Sequence, residues 1–327
     1  MAVSGGRGYI VNDVGSIVSF NPWVRGDVDC TDRPRSGFTP VEAVEISVWG
    51  EYACTLHMDG YLMITDVCPV RSAVVTANLL TEGFPTAIEC CDGKLYATNK
   101  YLGLQTIDIP SGEIEDMLDL PGTEWDIAID RGYAYIASLY SGLTIVKLHP
   151  EEGEDRVVKI LPEYEDDRIV AFSGNYAAIS GIDYPNEYFH VLDATDPENP
   201  VFIGSVSITE TIRDIEIAGN YIYLTVMDTY GYLGGLRIYA VDGNRNVVES
   251  GRLTFERCYA YAVELQDNRA YITTSCDEIV VADISDPVHP SIVEKLEAGE
   301  YTDDIAVSGN MLYATDYMDG LMIFRMN

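Results

Sequence analysis

Apolar and polar residues alternate along most of this chain, in short runs separated by turn residues. Three runs show the pattern clearly: Asp126 to Ala137, Asp214 to Thr225 and Asp304 to Thr315. Each contains an alternating stretch, a turn of Gly, Asn or Asp, and a second alternating stretch, which is the signature of a β-hairpin. No segment keeps a helical period for longer than a turn or two. The pattern therefore predicts an all-β protein.

The hairpins recur at a regular interval. Successive second strands align on a central position, here called the anchor, and the anchors lie 39 to 48 residues apart by their sequence numbers. A period of about 40–45 residues with four strands per unit is typical of a β-propeller blade. We therefore predict an eight-bladed β-propeller of four-stranded antiparallel blades, with seven blades plus an extension as the alternative. The anchors are Tyr9, Cys54, Tyr96, Tyr135, Ala178, Tyr223, Tyr271 and Tyr313.

The whole chain, residues 1–327, is predicted to form this single propeller domain. In the first strand of each unit, the positions eight and six residues before the anchor are mostly apolar, as at Ile127 and Ile129. A slip of one residue would expose all of them, so the strand register is well specified. The predicted units are residues 1–40, 41–83, 84–122, 123–164, 165–210, 211–258, 259–300 and 301–327.

The second half of each unit also repeats. A short loop ends in Gly and leads into an apolar third strand, as at Gly142 and Gly320, and that strand often ends in Asp. The segment from Asp304 to Tyr313, followed by Gly320 to Ile323, resembles the LVIVD-repeat propellers, which are found mainly in bacterial and archaeal cell-surface and secreted proteins. The turn from Ala282 to Pro287 is similar to that family as well. The resemblance implies a propeller with a surface or interaction role, and it implies no catalytic residues.

The chain is strongly acidic, with a formal net charge of −33 and a sequence pI near 4.1. Such a surface repels phosphates, so neither nucleic acid nor an anionic lipid surface is an expected partner, whereas cationic partners and divalent metal are favoured. No apolar run is long enough for a membrane span, so we expect no membrane insertion. No signal peptide is recognisable. The resemblance implies an extracellular or cell-surface mature form, and the missing signal favours a cytoplasmic one.

The seven cysteines are odd in number and have no metal-knuckle spacing, so they leave the redox compartment open. Most are expected to be small core residues. Cys90 and Cys91 are the only close pair, and adjacent residues of a strand are expected to point to opposite faces.

Ligand sites of propellers usually lie at the mouth of the central channel, on the face that carries the loops into the first strand and between the second and third strands. In this chain those loops are rich in carboxylates and tyrosines. They predict a platform for a protein or carbohydrate-like ligand, since Tyr offers rigid amphipathic contact area. The alternative is that exposed loops of any acidic, Tyr-rich protein have this composition. The predicted binding residues are Tyr101, Trp125, Tyr140, Glu300, Tyr301 and Tyr317.

A sharper pattern lies on the channel side of the first strands. Glu89, Glu216 and Glu264 stand seven residues before their anchors, and Glu45 stands nine before its own, so alternation places all four opposite the apolar positions. Buried charges are costly unless they meet water or a cation. The pattern predicts either a site for Ca²⁺ or another divalent cation, or a water-filled channel with solvated carboxylates.

A second acidic run, with aspartates at positions 27, 29 and 32, lacks the Gly and the terminal Glu of an EF-hand loop. It is expected to be a solvated turn. The four histidines are scattered, and no nucleophile elbow or phosphate-binding loop is present.

We therefore predict a non-enzymatic interaction or surface-scaffold module. The alternatives are a cation-dependent hydrolase or lyase with carboxylates at the channel, and a structural subunit of a surface layer or filament. The sequence ends just after the third strand of the last unit. That strand is predicted to be an unprotected edge, through which the protein could form a homo-oligomer.

Overall fold

The computed structural model describes residues 2–4, 7–11, 17–20, 43–68, 73–81, 83–164, 167–183, 186–228, 233–299, 301–317 and 320–326. Apart from one short 3-10 helix, Pro162–Tyr164, the regular elements of these described segments are β-strands. No helix in these segments is long and apolar enough to cross a membrane.

Six four-stranded antiparallel sheets follow one another along the chain and form blades 1 to 6. Blade 1 consists of β4 (Ala43–Trp49), β5 (Tyr52–His57), β6 (Tyr61–Asp66) and β7 (Val74–Leu80). Blade 2 consists of β8 (Pro85–Cys91), β9 (Lys94–Asn99), β10 (Gly103–Asp108) and β11 (Ile114–Leu118). Blade 3 consists of β12 (Thr123–Asp130), β13 (Tyr133–Leu139), β14 (Gly142–Lys147) and β15 (Val157–Leu161).

The next three blades have the same strand order. Blade 4 consists of β16 (Asp167–Ser173), β17 (Tyr176–Asp183), β18 (Asn186–Asp193) and β19 (Val201–Ile208). Blade 5 consists of β20 (Thr211–Ala218), β21 (Tyr221–Met227), β22 (Leu233–Val241) and β23 (Val247–Glu256). Blade 6 consists of β24 (Ala260–Gln266), β25 (Arg269–Thr274), β26 (Glu278–Asp283) and β27 (Ser291–Glu297).

The seventh sheet joins the two ends of the sequence. Its inner strands are β28 (Thr302–Ser308), β29 (Met311–Asp316) and β30 (Gly320–Arg325), and its outer strands are β3 (Ile17–Phe20), β2 (Arg7–Val11) and β1 (Ala2–Ser4). Strand β3 pairs parallel with β30, with Ser19 opposite Met322 and Phe20 opposite Ile323.

The propeller thus has seven blades, and the prediction of eight is wrong. The hairpin around the first anchor, Tyr9, does form, as β2 and β3, but it extends the last blade and makes no blade of its own. The prediction that the third strand of the last blade is an unprotected edge is also wrong, because β3 covers part of β30. Pairing between distant parts of the chain, which the local pattern does not encode, produces both differences.

The other seven anchors lie in the second strands of the seven blades and are all buried, from Cys54 in β5 to Tyr313 in β29. The core is divided into seven clusters, one between each pair of neighbouring blades in the described part of the chain. Ile46 and Ala53 of blade 1 pack against Ala306, Tyr313 and Ile323 of blade 7 in the cluster that closes the ring. Burial of one face of every first strand against the next blade therefore holds the ring together.

The Gly and Asp residues that the sequence places at the ends of third strands have conformational roles in the turns. Gly103, Gly142 and Gly320 begin third strands with φ of 77°, 76° and 72°, a region that favours glycine. At the ends of third strands, Asp193 and Asp283 accept hydrogen bonds from the backbone N–H two residues later, at 3.0 and 2.8 Å. This aspartate turn fixes the direction of the chain as it leaves the third strands of blades 4 and 6.

Candidate functional site

All seven first strands carry an irregularity at the same place, where the strand enters the blade beside the mouth of the central channel. In each blade the pairing with the second strand shifts, and one or two extra residues are left unpaired. Such a β-bulge redirects side chains that simple alternation would place on opposite faces. The residues ten positions before the anchors, here called the rim residues, are Val44, Thr86, Trp125, Arg168, Arg213, Tyr261 and Asp303.

Six of the seven rim residues, and the residues that follow the rim positions, line a cavity of about 400 Å³ at the channel mouth. Trp125, Arg213, Tyr261 and Asp303 form the aromatic and charged part of its wall at the rim. Arg168 does not line the cavity, but its guanidinium lies 5.8 Å from the centre of the Trp125 ring. The bulge therefore brings aromatic, cationic and acidic groups from separate blades to one opening.

Four carboxylates, here called the floor carboxylates, lie one position further along the first strands of blades 1, 3, 5 and 7: Glu45, Asp126, Asp214 and Asp304. Each accepts a hydrogen bond from the backbone N–H of the neighbouring blade's first strand, so each joins two blades beside the channel. The pairs are Glu45 with Ile88, Asp126 with Val170, Asp214 with Val263 and Asp304 with Ile46, all at 2.8 Å.

Below the floor, the channel continues as a second cavity of about 360 Å³. Glu89, Glu216 and Glu264, here called the channel glutamates, line it together with the floor carboxylates. They stand two residues further along their strands than the floor position, which corresponds to about 7 Å of strand rise. Seven carboxylates from six blades therefore face one narrow space.

Enclosure by the surrounding blades disfavours the ionised form of these groups, although each keeps a partly exposed surface on the channel. Burial, opposed by hydrogen bonds from Val170 and Ile127, raises the pKa of Asp126 to about 7. Burial and the nearby Asp214 raise the pKa of Asp304 to about 8. For Glu45 and the channel glutamates, burial comes first and neighbouring acidic groups add to it, and the pKa lies well above the usual range.

Two aromatic rings at the mouth already carry a cation on one face. Arg168 of blade 4 lies over Trp125 of blade 3, and Arg213 of blade 5 lies 5.6 Å from the centre of the Tyr261 ring of blade 6. Guanidinium groups are attracted to aromatic faces by the ring quadrupole. The mouth thus contains two places where an aromatic wall and a positive charge meet.

The residues that the sequence predicted for binding separate into two groups. Trp125 lies in the wall of the mouth cavity with 37% of its surface exposed. Tyr101 and Tyr140 are more exposed, at 68% and 72%, and they stand on the loops between second and third strands without lining the cavity. Tyr301 and Tyr317 contact each other edge to face, with ring centres 6.3 Å apart, and they too lie outside its wall.

Glu300 lies outside the described residues, as do the aspartates at positions 27, 29 and 32. Glu45, Glu89, Glu216 and Glu264 do face one channel, as the alternation indicated. Within the described segments, however, no three acidic, His or Cys side chains are close enough together to hold a metal ion. A divalent cation in the channel stays a prediction.

Sequence reasoning missed part of the site although the signal was present. The three clearest repeat segments all begin with an aspartate, Asp126, Asp214 or Asp304, and these three are floor carboxylates. Tyr261 was missed because alternation alone does not place it at the mouth, whereas the bulge does.

The cysteines also differ in part from expectation. Cys258 and Cys276 form a disulfide on the mouth side of blade 6, joining the segment before β24 to the turn between β25 and β26. Cys90 packs in the cluster between blades 1 and 2, and Cys91 in the cluster between blades 2 and 3, so the two do point to opposite faces.

Comparison with known proteins gives a consistent result for the fold. A family model described as the LVIVD repeat matches residues 42–74, 121–147, 167–208, 258–297 and 299–324. No significant match was found among curated proteins. Among solved structures, Kuenenia stuttgartiensis hydrazine synthase is similar with 14% sequence identity and a TM-score of 0.71, over 92% of this chain and 99% of that chain.

Two further structures are similar at comparable levels. The β-propeller domain of Cps50 (Swd1) from Myceliophteria thermophila has 13% identity and a TM-score of 0.65, over 89% of this chain and 99% of that chain. The computationally designed Ika8 protein has 9% identity and a TM-score of 0.63, over 88% of this chain and 96% of that chain. At these identities the likeness concerns the fold alone.

Proposed function

Since the chain belongs to the LVIVD repeat family and folds as a seven-bladed propeller, we propose that it is a binding module whose site is the channel mouth. The group that it takes there is a cation, such as an ammonium group presented by a partner protein or a small molecule. The observation that carries the proposal is the bulge at the same place in all seven first strands.

A propeller blade requires apolar positions for its core and Gly or Asp at its turns, but it does not require a particular side chain at the bulge. The seven rim residues are accordingly diverse, and they range from Val44 and Thr86 to Trp125 and Asp303. Diverse side chains held on a uniform rigid frame are the usual arrangement of a recognition site.

The charge of the floor favours a cation. Asp126, Asp214 and Asp304 are enclosed by the blades. In addition to burial, Asp214 raises the pKa of both Asp126 and Asp304, and Asp214 and Asp304 raise the pKa of Glu264. A positive charge bound among these carboxylates would therefore relieve their mutual repulsion. The walls support the same choice, because Trp125 and Tyr261 each already hold a guanidinium against one face. An aromatic wall above an acidic floor is a suitable environment for an alkylammonium group.

The alternative of a hydrolase or lyase draws on the near-neutral pKa of Asp126, which would suit a general acid or base. Its geometry supports a structural role more strongly. The two oxygens of Asp126 accept backbone N–H bonds from Ile127 and Val170, and those of Asp304 accept bonds from Ile305 and Ile46, all at 2.8 Å. Carboxylates fixed in this way are better placed to attract a cation than to move a proton.

Trp125 provides a reporter for the test. In a variant with Trp23→Phe and Trp49→Phe, Trp125 is the one remaining tryptophan, and Trp49 itself lies at the far end of its strand from the mouth. Hexylamine, an ammonium ion at neutral pH, should produce a saturable change in fluorescence, and hexanol should not.

The additional substitution Asp126→Asn should weaken the response to hexylamine, whereas Glu294→Gln on the exposed outer strand β27 should leave it unchanged. Equal responses to hexylamine and hexanol would show that the cavity recognises only the alkyl chain. The absence of any saturable response would reject the site.

A further inference from the structure

The rim of blades 4 and 5 carries arginine in both blades, Arg168 and Arg213, beside an acidic floor. We infer that the ligand of the channel mouth is a zwitterion of the amino-acid type, with its ammonium group directed to the floor carboxylates and its carboxylate held by these two arginines. The inference rests on the proposed function and deepens it by naming the chemical class of the ligand.

The first support is the electrostatic state of the two guanidinium groups. Within the described residues, neither Arg168 nor Arg213 lies within salt-bridge distance of a carboxylate, whereas Arg237 pairs with Glu210 at 2.7 Å and Arg245 pairs with Asp193 at 2.9 Å. In a protein with 53 acidic and 20 basic residues, two rim arginines that form no ion pair with the described carboxylates are well placed to accept an external anion beside the cavity.

The second support is their position relative to each other. Both guanidinium groups lie close enough to Glu187 to lower its pKa, in opposition to burial, which raises it. Glu187 is itself held by the backbone N–H of Ile212, which donates to its carboxylate at 2.6 Å. Arg168 and Arg213 therefore converge on one side of the mouth rather than standing on opposite sides.

The third support is the contact of each guanidinium group with an aromatic ring. A guanidinium group that lies over an aromatic face directs its N–H groups outward in its own plane, where they can bind a carboxylate in a bidentate manner. Arg168 lies over Trp125 and Arg213 over Tyr261, so each is held by a ring that belongs to the neighbouring blade. Because Arg213 and Tyr261 also line the cavity, this anion-binding edge adjoins the acidic floor.

The arrangement of charge along the channel axis sets the order of groups in the ligand. On the side of blades 4 and 5 the arginines stand at the rim, Asp214 lies one position deeper than Arg213, and Glu216 lies two positions deeper still, whereas the rim carboxylate Asp303 belongs to blade 7. A ligand with a positive and a negative end matches this gradient in only one direction, with the ammonium group inward. A dianion would meet the floor, and a diamine would meet the arginines, so both are disfavoured.

The test compares 6-aminohexanoate with hexylamine, which differ by the terminal carboxylate, in the protein whose only tryptophan is Trp125. We expect 6-aminohexanoate to bind about 10-fold more tightly or better, as for a charge-assisted hydrogen bond. Arg213→Gln and Arg168→Gln should each reduce this ratio by weakening the binding of 6-aminohexanoate. Both side chains are exposed, so neither substitution should affect folding. Arg269→Gln, at the opposite end of blade 6, should leave the ratio unchanged.

The outcomes separate the two proposals. Equal binding of 6-aminohexanoate and hexylamine overturns the inference and leaves the cation site standing, whereas binding of neither overturns both. If Arg213→Gln strengthens hexylamine binding without changing the ratio of the affinities for 6-aminohexanoate and hexylamine, the inference is wrong. Arg213 would then only offset the negative charge of the floor carboxylates.

Discussion

Asp304 of the last blade accepts a hydrogen bond from the backbone N–H of Ile46 of the first blade, at 2.8 Å, and so joins the two ends of the ring beside the channel. The same contact recurs between Asp126 and Val170, and between Asp214 and Val263. Blades 1, 3, 5 and 7 each supply the carboxylate of such a contact. Because the number of blades is odd, two of these carboxylate-bearing blades, 7 and 1, are neighbours where the ring closes. These carboxylates thus serve the frame and the charge of the channel together.

Replacement of Asp304 by Ala should weaken the ring. The backbone N–H groups of Ile46 and Ile305 both lose their acceptor, and we expect the free energy of unfolding to fall by about 1–3 kcal/mol. The measurement is urea denaturation at pH 6.5, below the pKa of Asp304 of about 8, so that loss of charge repulsion contributes little. Glu294→Ala, on the exposed outer strand β27, is the control. Equal effects of the two substitutions would contradict the role of Asp304 in closing the ring.

The stability of the protein should fall as the pH rises from 5 to 9. Asp126 and Asp304 have pKa values of about 7 and 8 in the folded protein, mainly because of burial, against about 3.9 in an unfolded chain. The folded state therefore binds protons more tightly, and the stability present below pH 4 is lost as the pH passes through 7 to 8. Carboxylates with lowered pKa, such as Asp108 at about 2, where the hydrogen bond from Lys94 is the largest cause, act in the opposite sense and limit stability in strong acid.

Urea midpoints at pH 5, 7 and 9 measure this dependence. Asp126→Asn removes one titrating group with a folded pKa of about 7, so it should make the decline between pH 5 and 7 shallower, whatever its effect on the absolute midpoint. A urea midpoint that stays constant or increases toward pH 9 would contradict this prediction, because it would show that ionisation of the channel carboxylates does not lower the free energy of unfolding.

Calcium should raise the melting temperature if the channel binds a divalent cation, because a ligand of the folded state alone stabilises it. The double substitution Glu89→Gln with Glu264→Gln should raise the melting temperature without calcium, since it removes buried repulsion, and should abolish the calcium-induced increase. The measurement belongs at pH 8 or above, where more of the carboxylates are ionised. The matched control is Glu294→Gln with Glu297→Gln on the exposed strand β27. No calcium effect on the unmodified protein would refute the divalent-cation prediction.

Substitutions at Gly142 and Gly132 can separate two effects of an added Cβ on stability, namely steric overlap with a neighbouring strand and strain in the backbone. Both have positive φ, 76° and 79°, but a Cβ at Gly142 would overlap the carbonyl oxygen of Leu161, whereas a Cβ at Gly132 would meet nothing within 4 Å. Gly132→Ala should cost about 1 kcal/mol for the left-handed conformation. Gly142→Ala should cost about 1–3 kcal/mol more, because the third and fourth strands of blade 3 must move apart. If both substitutions lowered the free energy of unfolding equally in urea denaturation, the third and fourth strands of blade 3 would be able to move apart without loss of stability.

Removal of residues 1–20 should uncover the outer edge of β30. Strand β3 would be lost from the last blade, leaving the unpaired backbone groups that the sequence had predicted for the native protein. We expect a lower melting temperature and concentration-dependent association in size-exclusion chromatography. A shortened protein that stays monomeric with unchanged stability would show that β3 contributes nothing to closure.

The number of blades illustrates the limit of a local pattern. The alternation around Tyr9 correctly indicated a hairpin, and the spacing of the other seven anchors correctly located the second strand of every blade. Whether a hairpin forms its own blade or joins another depends on strand pairing across the length of the chain, here Ser19 with Met322. Such pairing leaves no periodic trace in the sequence.

The chain alone determined which side chains would face the channel, because the period of a strand is two residues and the apolar positions fix which face is buried. Glu45, Glu89, Glu216 and Glu264 follow directly from that rule. Only the folded ring decided that Trp125, Arg213 and Tyr261 meet at one opening, since a bulge interrupts the alternation and each residue comes from a different blade. A recognition site shared among blades depends on the angle and closure of the ring, and those result from packing between blades rather than from the order of residues within any one of them.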